Sequence, residues 1–590
     1  MKIFLALILI VTAGCAGVSP SKVSLEAQAD GSFTRLGEEF LAGYLAWRPQ
    51  SGTSLGFHEY DGKLTDYRRA SLDAELKRLK HFDARLAELD TKTLTPRAFY
   101  DFRILRAAIQ SELFKFEQTE SYTKNPMTYA DVIEVSIYIK RDFAPLAQRV
   151  KSIIAIEKQA PRVMAAARTN LADSLAQPFV ETAIEMAKGA ADFLGKDLVE
   201  ALKDLNDESL RAEFNIANER AISELRGYAT YLEREKLPKA HTHYALGREK
   251  FQKMLQDGEF ISLSPERILE IGVRELRREQ EIFADTARKI DSTRKPVEVF
   301  KEIQRDHPTE KDLIPETKRN LNAIRQFLIE RQIITLPSDV RAQVEETPQF
   351  MRATSFASMD TPGPFETRAT EAYYYVTPTE KDWPAAQKEE WLTAFNYYTT
   401  DIVSIHEAYP GHYVQFLALN ASSANKVEKI FTSYAFVEGW AHYAEQMMLD
   451  EGFGSNAFRT QADLTRAAKY RLAQSDEALL RLCRLCVSIK THCEGMSVEE
   501  ATKFFEENCY YEHKPARQEA IRGTFDPGYL YYTLGKLQIL KLRQDYQREQ
   551  GAAFTLRKFH DEMLQHGAPP LRLLRELMLK NRSAWEWQLD

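Results

Sequence analysis

Apolar residues recur at three- and four-residue spacing through most of this chain, and that periodicity admits little besides a helical protein. Between Phe33 and about Thr335 it marks helices at Leu72–Leu89, Arg97–Glu117, Ala144–Gln159 and Glu208–Glu235. It resumes from about Trp383 and runs to Leu589. Pro49, Pro96, Pro126, Pro178, Pro238, Pro265 and Pro308 punctuate the first stretch, because proline removes a donor and clashes inside a helix. One interval has a different texture. Ser355–Met359 and Ala372–Thr377 are strand-like, the second rich in aromatic and β-branched residues, and the segment between them opens on the turn signal Asp360-Thr361-Pro362-Gly363-Pro364. A small β-ribbon over about 347–378 is therefore expected in an otherwise helical chain. The 590 residues are roughly four domains' worth of polypeptide. Large helical chains often fuse that much polypeptide around one cleft, so the reading is two lobes: an N-terminal helical lobe, 33–335, and a second helical lobe, 336–590, which carries the β-ribbon.

The N-terminus obeys other rules. Met1-Lys2 precedes an apolar run, Ile3 to Val11, and then Thr12-Ala13-Gly14-Cys15. A charged start, a short apolar stretch and small residues before a cleavage point make a secretory signal, too short to span a bilayer as a mature helix. Its ending resembles a bacterial lipobox, which implies a signal peptide at 1–14 and lipidation of Cys15. Residues 15–32 are then expected to be a polar tether. Ala16 is not the aspartate that retains lipoproteins at the inner membrane, which favours the outer membrane; simple release into the periplasm is the alternative. No later apolar stretch reaches 18 residues, so a lipid anchor is the expected membrane attachment. With Lys+Arg at 79 and Asp+Glu at 86, the net charge of −7 offers no basic surplus for nucleic acid. Arg274–Arg278 reads as a solvated helix face. Cys483, Cys486, Cys493 and Cys509 are too few for a disulfide framework, and Cys483 and Cys486 share the apolar face of a helix with Leu479, Leu482 and Val487, so they read as packing residues.

Chemistry is concentrated in His406-Glu407-Ala408-Tyr409-Pro410-Gly411-His412. A zinc-protease helix normally sets two histidines four residues apart, about 40° around the axis, with a glutamate beside the first. Six residues on an undisturbed helix is about 600° of rotation, which leaves His412 about 120° off the His406 face. Pro410 changes this, since its ring clashes with the carbonyl of His406 and Gly411 supplies backbone freedom. Two residues looped out would bring His412 back over the metal. A second helix carries Glu438, His442 and Glu445 at i, i+4 and i+7, one stripe of one face. Two imidazoles and one carboxylate with an open fourth position is a catalytic zinc geometry. The expected ligands are thus His406, His412 and Glu438, with one Zn²⁺ per chain. Glu407 is the expected base, and His442 and Glu445 are expected to orient the ligands, with replacement of Glu438 by either left open.

These segments resemble the bacterial family known as domain of unknown function 885, over about residues 35–585. The resemblance rests on His406 to His412, Glu438-Gly439-Trp440-Ala441, Phe356 to Phe365, Arg522 to Gly535, and His560 to Leu571. It implies a mainly α, two-lobed, gluzincin-like fold with a small β-ribbon and a deep central cleft, and a metal-dependent peptidase. The chain departs from the commoner pattern at Ser488, where many relatives carry an aspartate, while His492 fits. A tetrahedral oxyanion needs a donor besides the metal, and Tyr532, Arg522 and His492 are the candidates. Tyr373–Tyr375, His560 and His566 read as structural. The hairpin from Phe356 to Thr377 offers an edge strand to an extended peptide. The function expected is hydrolysis of short peptides in the cell envelope. Two alternatives stand beside it: hydrolysis of a non-standard amide such as a cell-wall peptide, and a non-catalytic peptide-binding lipoprotein. Neither exo- nor endopeptidase action nor an oligomeric state is legible.

Overall fold

The computed structural model describes residues 22–348, 352, 356–455 and 460–581. The leader, Cys15 and Ser355 lie outside these residues. Helices account for 71% of the described residues, which is the mainly α class expected. The periodic segments become helices at Arg69–Ala87, Pro96–Glu117, Leu146–Glu157 and Glu208–Tyr231. Their starts follow from local chemistry. Pro96 and Pro265 occupy the first turn, where a missing N–H costs nothing, and the hydroxyls of Thr95 and Ser264 accept the N–H groups of Ala98 and Arg267. The segment expected to be a tether is helical from Lys22, within Lys22–Trp47. The apolar stripe of that helix, Phe33, Leu36, Phe40 and Leu41, is buried, and the helix extends backward from it.

Among the described residues apolar packing forms three cores. One joins Phe33 to Leu113 with Val427 and Leu573. A second spans Leu64 to Leu232 and takes in Ala369. The third and largest runs from Phe251 to Leu579 and surrounds the candidate site. At its centre lies the helix Gln461–Ile489, buried on every side from Ala478 to Ile489, where apolar residues alternate with Arg481, Arg484 and Ser488, each held by a polar partner. Cys483 and Cys486 sit there as buried free thiols, with Cys509 from the next helix also buried. The amphipathic helix Pro265–Ile290 lies on this central helix, and Gly272 permits the approach, since a Cβ there would come within 2.2 Å of Leu485.

The sheet has three strands in the order β1-β3-β2, with β1 at Gln343–Glu346, β2 at Ala357–Asp360 and β3 at Tyr373–Val376. β2 and β3 are the two expected strands. β1 adds a third, parallel to β3, so the element is a sheet and not a ribbon. β2 runs antiparallel to β3 with Met359 opposite Tyr374, and it forms an outer edge. Arg141, from the N-terminal half, clamps this hairpin: it binds Asp360 at 2.7 Å and the carbonyl oxygens of Ala369 and Glu371 at 3.3 and 2.9 Å.

Candidate metal centre

The helix Tyr397–Glu407 stops one residue after His406, and the next helix, His412–Ala421, begins on the second histidine. Between them the backbone bonds show what has happened. The N–H of Gly411 reaches the carbonyl of Ile405 at 3.0 Å and that of Val414 reaches Ala408 at 3.4 Å. Both acceptors lie six residues back where an α-helix uses four, so two residues are looped out of register. Gly411 is required by contact, because a Cβ there would lie 1.7 Å from the His406 carbonyl oxygen. The loop is pinned from outside: Trp440 donates its indole N–H to the Pro410 carbonyl at 2.9 Å, and Tyr409 and Tyr413 bond the chain leading into β1 at Ala342 and Val340.

The result is a cluster of three donors. His406, His412 and Glu438 each offer one atom, all within 4.8 Å of one another. Glu438 Oε2 stands 3.5 Å from Nε2 of both histidines, yet it accepts no hydrogen bond. Two ligands each ~2.0–2.2 Å from a tetrahedral ion stand roughly 3.3–3.6 Å apart. The spacing is therefore that of ligands around a shared ion, and the residues present fit one. Burial alone would push the Glu438 carboxyl up, but the two imidazoles hold it well below the usual range.

Behind the cluster, Glu445 is fully buried and uses both oxygens: Oε1 accepts from His406 Nδ1 at 2.7 Å and Oε2 from His442 Nδ1 at 3.1 Å. A carboxylate acceptor fixes the proton on Nδ1 of His406 and leaves Nε2 to face Glu438. Burial opposes the charge on Glu445, and Arg481, 3.4 Å away, with the imidazoles, holds its carboxyl well below the ordinary range. With both oxygens engaged, Glu445 stands outside the three-donor cluster. His442 is wholly buried, which pushes its pKa down to about 3, and it braces Glu445 as a neutral ring.

Glu407 turns toward the sheet, where its Oε2 accepts the N–H of Met359 at 3.2 Å. The edge strand and the expected base are thus in direct contact. Across the cluster, the helices Tyr434–Asp450 and Tyr531–Gln550 cross with their backbones touching: a Cβ on Gly439 would lie 2.5 Å from Gly535, and one on Gly535 would lie 2.0 Å from the Ala435 carbonyl oxygen. That crossing sets Tyr532 beside Tyr434, ring centroids 5.9 Å apart, with the Arg484 and Arg481 guanidiniums 5.2 and 5.8 Å from the Tyr532 ring. Burial and the Glu438 charge push the Tyr532 hydroxyl up, which keeps it a proton donor. Arg522 binds Asp526 through Nε at 3.1 Å and Nη2 at 2.9 Å, and lies 3.4 Å from the Tyr434 hydroxyl.

His492 corrects the expectation. Its Nε2 donates to the Gly523 carbonyl at 2.8 Å and its Nδ1 accepts the Leu246 N–H at 3.2 Å, so both nitrogens are committed to the scaffold and none reaches an oxyanion. Ser488 likewise serves the backbone, donating to the Pro527 carbonyl at 2.7 Å. His560 bridges Tyr443 and the Ile333 carbonyl, as a structural histidine should. Arg481 and Tyr434 are the site residues that the sequence reading missed. Arg481 looks like any helix-surface arginine, and the only cue to Tyr434 is its place one turn before Glu438.

A family model described as "Bacterial protein of unknown function (DUF885)" matches residues 49–578. The fold is shared with a presumed lipoprotein of unknown function from Shewanella oneidensis, at 24% identity and a TM-score of 0.76, covering 93% of this chain and 100% of that one. A presumed lipoprotein from Colwellia psychrerythraea matches at 16% identity and a TM-score of 0.74, covering 94% and 98%. Metallocarboxypeptidase 1 of Trypanosoma cruzi aligns over 96% and 98% at 11% identity with a TM-score of 0.38, a likeness on which no argument rests. No curated protein matches the chain.

Proposed function

This chain belongs to the bacterial DUF885 family, and from that premise and its donor cluster we propose that it is an exported zinc-dependent metallopeptidase acting on short peptides. The observation that carries the proposal is the pair of 3.5 Å separations about Glu438 Oε2, with Glu407 next in sequence to a ligand. His406, His412 and Glu438 would hold the ion, which when bound would acidify a water and polarise the scissile carbonyl. The rest is the work of this chain's own residues. Glu407, aimed by the Met359 N–H, takes the proton of the attacking water and delivers it to the departing amine nitrogen. Tyr532, with Tyr434 beside it, supplies donors toward the oxygen that gains charge. β2 is an edge strand whose outward Met359 N–H Glu407 already engages, so an extended peptide can add beside it by main-chain hydrogen bonds to the remaining outer groups.

The leader and lipobox support export with lipidation at Cys15, as do the two presumed lipoproteins that share the fold. No helix among the described residues is long and apolar enough to cross a membrane. The test is metal content together with a fluorogenic peptide-library assay on wild type, His406→Ala and Glu407→Gln. The expected result is one zinc per chain, lost in His406→Ala. Glu407→Gln should keep its zinc while its rate falls by about 10²–10⁴. A folded wild type that takes up no metal under zinc-replete conditions would overturn the proposal in favour of a binding lipoprotein. Zinc without cleavage of any peptide would move the activity to another amide.

A further inference from the structure

A cavity of about 470 Å³ opens beside Tyr434, within the range of small-ligand sites. Its walls are mainly apolar, among them Met254, Ile430, Phe431, Tyr434 and Tyr531. Four carboxylates also line it, and each already has its partner. Glu112 is bound by Arg48 and Lys115, Asp257 by Lys253, and Asp526 by Arg522. Glu259 accepts the Ser433 hydroxyl and the Ala435 N–H at the start of the Glu438 helix. With three carboxylates paired to cations and Glu259 hydrogen-bonded, the mainly apolar walls favour an apolar occupant.

Its position relative to the metal centre follows from the helix. Tyr434 and Glu438 are four residues apart on one helix, hence on one face, with about one 5.4 Å turn between them. An extended peptide advances ~3.3 Å per residue, so Tyr434, which lines the cavity, stands one to two peptide residues along the helix from Glu438. Arg522 stands next to the cavity, bound to Asp526 of its wall and 3.4 Å from the Tyr434 hydroxyl. Of the three arginines grouped near Tyr532, Arg481 and Arg484 have side chains 9% and 10% exposed and locked to carboxylates, whereas that of Arg522 is 33% exposed. Asp526 engages its Nε and Nη2 through a single oxygen and Nη2 also reaches the Tyr434 hydroxyl, so the Nη1 end of the guanidinium is the part that can receive a further carboxylate oxygen.

We propose that Arg522 receives the C-terminal carboxylate of a short peptide while the cavity takes its last, apolar side chain, so that the enzyme works inward from the C-terminal end. The inference rests on the metallopeptidase reading. In the step itself, the water oxygen bonds to the carbonyl carbon and the C–N bond breaks. The released amine nitrogen keeps the electron pair and takes the proton carried by Glu407.

The test uses the zinc-loaded full chain and N-acetylated short peptides ending in Phe as the free acid, Phe as the amide, or Asp as the free acid, with products identified by mass spectrometry. The acid ending in Phe should lose its C-terminal residue or dipeptide. The amide and the Asp-ended acid should each be slower by about 10- to 100-fold in kcat/KM, the loss expected for one charge-assisted contact. Arg522→Gln should bring the acid-to-amide ratio toward one, chiefly through KM; if it fails to fold, the wild-type comparison still decides. Equal cleavage of acid and amide by wild type, or cleavage only at internal bonds, would overturn the inference while the peptidase reading stands. A zinc-bound protein that cleaves no peptide would overturn both.

Discussion

Placing a methyl group on Gly411 tests whether the looped segment or the ligands alone make the metal centre. A Cβ at this position would lie 1.7 Å from the carbonyl oxygen of His406 and 2.4 Å from that of Ile405, where ordinary contact begins at 3.4 Å. The His406 backbone would have to retreat by about 1.7 Å, whereas metal–ligand distances hold to within ~0.2 Å. The displacement is many times the tolerance, and it falls on a residue whose imidazole is a ligand. Gly411→Ala should therefore weaken zinc binding by more than ~100-fold, the upper end of what loss of a supporting partner costs. Of the looped segment only Ala408 and Tyr409 belong to a packing core, so far-UV circular dichroism should stay close to wild type. Chelator competition with a zinc-responsive dye measures the affinity. One zinc per chain at wild-type affinity in Gly411→Ala would refute the steric argument.

Glu445→Gln removes the charge that orients His406 and should cost about 10- to 100-fold in zinc affinity by the same competition assay, with no change marking Glu445 as mere packing. Arg141→Ala frees the hairpin end next to Met359 and should lower kcat/KM about tenfold with zinc retained, while Arg141→Lys recovers part of the loss; unchanged kinetics would show that the strand holds itself. His492 gives a pH dependence: burial, partly offset by the Gly523 carbonyl, takes its pKa from 6.5 down to about 4. The unfolded chain binds the extra proton, so stability is full above pH 6.5 and falls as pH drops through 4, by about 3 kcal/mol from this group. His492→Gln should show a shallower loss of urea midpoint between pH 7 and pH 4.5, with His442 and His560 among the groups supplying the remainder; equal slopes would exclude the role.

What was legible in the sequence was what depends on spacing along one chain. Two-residue looping at Pro410-Gly411 follows from a proline ring and a missing Cβ, and the i, i+4, i+7 stripe places Glu438 and Glu445 on one face whatever surrounds them. What was not legible depends on which elements meet. β1 is Gln343-Val344-Glu345-Glu346, a sequence with one β-branched residue that becomes a strand only because β3 offers a free edge. Arg481 is buried because its helix passes under Glu445, and nothing local separates it from a solvated arginine. His492 matched the family pattern for a structural reason. It ties the Gly523 carbonyl to the Leu246 N–H, two segments far apart in the chain. Tyr532 reaches the site through the crossing of Gly439 on Gly535, which the motifs carrying both glycines named but did not pair.

The looped segment also limits how such a site can change length. Because hydrogen bonding on its far side resumes two residues out of step, the histidines return to register only if residues leave in pairs. Deleting Pro410 and Gly411 together leaves His406-Glu407-Ala408-Tyr409-His412, with the rings about 40° apart on one unbroken helix. Deleting either one alone leaves the rings five positions and about 140° apart, too far to share an ion. Zinc titration of the single and double deletions would separate the two cases. Between this interrupted metal helix and an uninterrupted one there is a two-residue step, and the one-residue intermediate has no site.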